Sequence, residues 1–123
     1  MIVYCCADLM YATKIRSTCE SLGVVSRPAR NAEMLQARLE QIDDGKPNAP
    51  IAAVLIDLDL GEDALPLIQQ VKAHSPGVPV IAWGPHVLVD LLEAAKQAGA
   101  DPVMARGAFT AQLPGIIEHI GAK

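Results

Sequence analysis

The run IAAVLID at residues 51–57 is apolar almost from end to end and closes on a carboxylate. A strand without polar alternation needs cover on both faces, which the helical crossovers of a parallel sheet supply. Four more short runs of strand formers stand in the chain: IVYCC (2–6), VVS (24–26), PGVPVIAW (76–83) and DPVMAR (101–106). Helical periods separate them. Ala12, Ile15, Cys19 and Leu22 recur at three- and four-residue steps after Asp8 and stop at Gly23. Asn31 can cap AEMLQARLEQI, with Leu35, Leu39 and Ile42 on one face. A third helix runs from about Asp63 to His74, with Pro66 in its first turn. A fourth spans 87–100 and ends in a glycine; a fifth spans 110–120, weakened near its start by Pro114 and Gly115. DDGKPNAP (43–50) reads as a polar surface connector.

Five strands alternating with five helices predict an α/β chain of flavodoxin-like form. Its sheet is doubly wound, parallel and five-stranded, order 2-1-3-4-5, with residues 1–123 as a single domain. In such sheets a ligand site lies at the carboxyl ends of the strands, near the switch between strands one and three. Asp57 and the Cys6-Ala7-Asp8 segment both fall there.

A chain of 123 residues, half of them apolar, can bury a core without staples. With one Trp, two Tyr and one Phe, that core must come from Val, Ile, Leu and Ala. A net charge of −4 gives no electrostatic reason to expect a nucleic-acid partner. The cysteines, at 5, 6 and 19, match neither a disulfide framework nor a zinc site, so reduced thiols in a cytoplasmic protein are expected. The amino terminus lacks a basic leader, and no apolar run reaches membrane-spanning length. No metal and no cofactor is expected.

Other chemistries find little support. Cys6 stands where a phosphate-attacking cysteine would follow strand one, but its loop has no glycine and no arginine six residues on, so a small buried hydrophobe is the plainer role. His74, His86 and His119 lack ligand spacing, and no glycine-rich phosphate loop occurs. Trp83 and Tyr11 sit near the edge where a flavin would want a sandwich.

The strand ending in Asp57, the GVPVIA strand, AAKQAGAD before strand five and a last helix carrying FTAQL together give a resemblance over nearly the full length. The chain resembles the receiver domain of bacterial two-component response regulators. That resemblance implies Mg²⁺ binding and transfer of a phosphoryl group from a histidine kinase onto Asp57. Asp59 falls where the family offers mainly a backbone carbonyl to the metal. The family's acidic pair falls on Cys6 and Ala7, with Asp8 one step beyond. Its strand-four hydroxyl falls on Gly84, and its strand-five lysine on Arg106, followed by Gly107 in place of proline. The switch aromatic, near Val103, is absent.

Mg²⁺ wants near-octahedral oxygens and more than one anionic ligand, and phosphoryl transfer rests on the charge that it neutralises. The first expectation is therefore a pseudo-receiver, not an enzyme, in which Asp57, Asp59 and Arg106 form a small polar cluster and Asp8 caps a helix. It would bind a protein partner, or itself, through helices four and five. Val87, Leu91 and Ala94 share one face of helix four; Leu88, Val89 and Leu92 lie around its sides and, with Phe109, make the interaction face. The second expectation is a phosphorylatable receiver in which Asp8 replaces the missing pair. The third is a small-molecule-binding flavodoxin-like domain.

Overall fold

The computed structural model describes residues 1–40, 42, 43, 46, 47 and 50–121. Its sheet strands are β1 (Ile2–Cys5), β2 (Ser26–Pro28), β3 (Ala53–Asp57), β4 (Val80–Gly84) and β5 (Val103–Ala105). The helices are α1 (Leu9–Ser21), α2 (Ala32–Leu39), α3 (Ala64–His74), α4 (Val89–Ala98) and α5 (Arg106–Gly121). The pairings among these five strands are parallel and the order is β2-β1-β3-β4-β5. The apolar runs behave as expected of central strands: every residue of β1, β3 and β4 is buried.

Side-chain alternation along the strands divides the core in two. Ile2, Tyr4, Leu55, Ile81 and Trp83 point to the face covered by α1 and α5, where Ile15, Cys19, Phe109, Leu113 and Ile117 meet them. Val3, Cys5, Val54, Ile56 and Ala82 point to the other face, against Leu35, Leu39, Leu67, Ile68 and Ala95 of α2, α3 and α4. Each large side chain so buried contributes roughly 1.5–3 kcal/mol.

Several boundaries differ from the sequence reading. β2 lies at 26–28 instead of 24–26 and takes in Pro28, which a proline can do because β2 is the sheet's edge. α2 stops at Leu39, and Ile42–Asp43 pairs antiparallel with Lys46–Pro47 inside the expected connector, whose residues 44, 45, 48 and 49 lie outside the described residues. α5 starts four residues early, at Arg106, so Pro114 sits well inside it. The missing N–H there leaves the Thr110 carbonyl without its helical donor, a cost the three buried residues Leu113, Ile117 and Ile120 outweigh. α4 starts at Val89 and not at 87, which leaves Val87 and Leu88 in the preceding turn. Its far end follows the sequence: Gly99 has φ +119°, and a Cβ there would stand 2.7 Å from Lys72 Cγ.

Candidate functional site at the carboxyl edge

Register decides what surrounds Asp57. Cys5 pairs with Ile56, so the next residue of the first strand's path, Cys6, stands beside Asp57. Asp57 itself pairs with Trp83, and Gly84 with Ala105, which brings Arg106 over the same edge. The Asp57 side chain is only 2 % exposed.

The Asp59 and Ala7 amides, the Cys6 thiol and Arg106 hold this carboxylate. One oxygen, Oδ1, accepts the Asp59 backbone N–H at 2.9 Å, capping the short 3₁₀ helix Leu58–Asp63. Oδ2 accepts from the Cys6 thiol at 3.4 Å, and the same thiol approaches the Asp8 carbonyl, also at 3.4 Å. Arg106 Nη2 lies 3.7 Å from Asp57 Oδ1 and forms a direct ion pair with Asp59. Arg106 Nε and Trp83 Nε1 are buried without a hydrogen-bond partner among the described residues. Asp8 faces away from this cluster in its bonding: Oδ1 accepts the Met10 and Tyr11 amides at 2.9 and 3.3 Å and so caps α1.

Burial raises the Asp57 pKa above the ordinary carboxylate value, and the Cys6 bond, the Arg106 charge and the Ala7 amide only partly offset it. Burial also pushes the Cys6 thiol up to about 12, so it stays protonated and acts as a donor. A thiol of that kind is a poor nucleophile, which removes the phosphatase-like role for Cys6.

Gly84 is packed, not merely small. A Cβ there would meet Leu58 Cβ at 3.1 Å and Leu58 Cδ1 at 3.4 Å, so a larger residue would need the buried Leu58 to give by a few tenths of an ångström. Beneath the edge, Trp83 and Phe109 stack with centroids 4.1 Å apart and planes 2° from parallel, with Tyr11 5.6 Å from Trp83. Tyr11 Oη and Thr110 Oγ1 are 2.6 Å apart, and Thr110 Oγ1 donates to the Arg106 carbonyl at 2.9 Å. The aromatic rings are thus occupied by one another, and a flavin sandwich between Tyr11 and Trp83 is excluded.

Mg²⁺ finds a poor donor set here. Both Asp57 oxygens are engaged, Asp8 caps a helix, and no group of three or more His, Cys, Asp or Glu among the described residues is arranged to hold a metal.

No family model and no curated protein matches the chain. Solved structures do. The receiver domain of NtrX from Brucella abortus superposes with a TM-score of 0.77 at 19% identity, covering 98% of this chain and 97% of that one. This chain has the receiver fold. The receiver domain of the sensor histidine kinase PA1611 from Pseudomonas aeruginosa, solved with a magnesium ion in its active-site cleft, gives 0.76 at 22% identity, covering 98% and 96%. A response regulator receiver protein from Pseudoalteromonas atlantica gives 0.75 at 17% identity over the full length of both chains. Identities this low carry the receiver architecture and leave the site chemistry to the residues themselves.

The sequence pointed to Asp57, Asp8, Asp59, Gly84 and Arg106, and the receiver fold gathers Asp57, Asp59 and Arg106 at one edge. Two partners were missed. In the sequence Cys6 reads as a small buried hydrophobe, and only the β1–β3 register sets its thiol against Asp57; nothing in the sequence marks Leu58. The proposed face on α4 and α5 also changes. Phe109 is fully buried in the α1–α5 core and cannot belong to it, because α5 begins early enough to turn residue 109 inward. Leu92 packs partly against the opposite core. Val87, expected inside, is 70% exposed, beside Leu88 at 43% and Val89 at 66%. No helix among the described residues is long and apolar enough to cross a membrane.

Proposed function

We propose that this chain is a pseudo-receiver, a signalling or protein-interaction module that does not undergo ordinary Mg²⁺-dependent phosphorylation. One observation carries the reading: the Asp57 oxygen that would face an acidic pair faces the protonated Cys6 thiol instead. A neutral donor at that place stabilises the buried carboxylate but cannot share a divalent cation with it. Arg106, tied to Asp59, supplies the remaining countercharge. The exposed Val87-Leu88-Val89 turn at the start of α4 is the surface offered to a protein partner or a second copy. The residues 1–123 form one functional unit in this reading.

Incubation with acetyl phosphate or beryllofluoride and Mg²⁺, read by intact mass and by NMR, tests it. No adduct at Asp57 is expected; stoichiometric modification there overturns the proposal.

A receiver that accepts phosphate on Asp57 with help from Asp8 is the second reading. Its supporting observation is that the Asp8 charge is close enough to raise the Asp57 pKa. Trp83 adjoins Asp57 in the sheet, so its fluorescence reports a bound ion. Saturable quenching by millimolar Mg²⁺ favours this second reading.

A further inference from the structure

A cleft of about 340 Å³ opens next to the acidic cluster, between the first turns of α1 and the end of β2. Its size falls in the range of small-molecule sites, and it lies at the carboxyl edge where open α/β sheets place ligands. Tyr4, Ala12, Pro28, Ala29 and Leu60 give it an apolar lining. Arg16 and Arg30 supply its charge, and no carboxylate side chain lines it.

Neither guanidinium has a carboxylate partner among the described residues. The charge of Arg16 is felt at Tyr4, inside the cleft. Thr13 cannot serve as a donor, because its hydroxyl is engaged with the Leu9 carbonyl at 3.0 Å. An anion entering here is therefore met by two arginine forks and by no carboxylate in the cleft lining, in a chain whose net charge is −4. Cations have no ligand, and a bare inorganic anion leaves the apolar lining uncovered.

We propose that this cleft binds a small organic anion, with its carboxylate, sulfonate or phosphate on Arg16 and Arg30 and its apolar body against Tyr4, Ala12, Ala29 and Leu60. Cys6 forms part of the cleft wall while its thiol donates to Asp57. An occupant thus touches the acidic cluster through one side chain. The site does not depend on whether Asp57 accepts phosphate.

The test is titration of the ¹⁵N-labelled full chain with 8-anilino-1-naphthalenesulfonate, an anionic probe with an apolar body. Saturable shifts are expected at the amides of Ala12, Thr13, Ala29 and Arg30. The double variant R16Q/R30Q changes two exposed side chains and should weaken binding at least about tenfold. Ala12→Leu should weaken it by filling the lining. The uncharged N-phenyl-1-naphthylamine should bind wild type and R16Q/R30Q alike. Shifts confined to residues 87–91, unchanged affinity in R16Q/R30Q, or equal shifts from inorganic phosphate alone at the same concentration each overturn the proposal.

Discussion

The β1 side and the β5 side of Asp57 answer one problem, a carboxylate buried at a strand exit, in different ways. On the β1 side the chain offers a neutral thiol, Cys6, and an acid, Asp8, that is turned to cap a helix. On the β5 side it offers a cation, Arg106, that divides itself between Asp57 and the more exposed Asp59. The neutral side costs no charge repulsion but forfeits a metal. The cationic side supplies attraction but at 3.7 Å and partly in solvent, so it only moderates the penalty of burial. The raised Asp57 pKa is the sum of the two, with desolvation ahead.

The strongest way to break this contrast is to put an acid at position 6 on the β1 side. Cys6→Asp places a second carboxylate against Asp57, and two such groups cannot both ionise cheaply. In EDTA the variant should lose roughly 2 kcal/mol, a coupling of about one to two pK units. Millimolar Mg²⁺ should restore much of that loss. Thermal melts with and without Mg²⁺ read both effects; a variant as stable as wild type in EDTA would show that the thiol's position is incidental.

Removing the cation probes the other side. Arg106→Met keeps the aliphatic stem and leaves Asp57 to the thiol and amides alone. A loss of about 1–2 kcal/mol at neutral pH is expected from urea unfolding, shrinking at low pH as the carboxyl protonates. A pH-independent loss would assign the effect to packing.

Gly84→Ser puts a hydroxyl at the end of β4. Its Cβ presses on Leu58, so about 1 kcal/mol should be lost, and Gly84→Ala should lose the same. Pairing either with Leu58→Ala in a double-mutant cycle should show strong coupling. Additive losses would remove Leu58 as the reason for the glycine.

The smallest effect is on pH dependence. A folded-state pKa raised above the unfolded value means that the native chain binds the Asp57 proton first as pH falls. The contribution of Asp57 to stability therefore increases as pH drops through the raised folded value and levels off below the unfolded value. Asp57→Asn should flatten that part of the curve and be slightly more stable than wild type at neutral pH. A steeper curve, or marked destabilisation at neutral pH, would mean that Arg106 outweighs burial.

Strand and helix alternation, parallel order and the edge on which Asp57 lies were all legible in the sequence. They depend on local periodicity and on the need of a fully apolar strand for cover on both faces, which neighbouring residues settle among themselves. The absence of acids at 6 and 7, and the cap formed by Asp8, were equally open to view. The end of β2 and the start of α4 were less so, because a proline on an edge strand and an apolar turn before a helix mimic their opposites locally.

Tertiary structure alone decided the partners. The Cys6–Asp57 bond joins residues 51 apart and the Arg106–Asp59 pair residues 47 apart, so both depend on sheet register. Phe109 turned inward because α5 begins at Arg106, and the tight approach of Leu58 to Gly84 comes from the neighbouring strand's exit. Periodicity tells which face of an element is apolar; only the docking of distant strands determines which side chain a buried carboxylate meets.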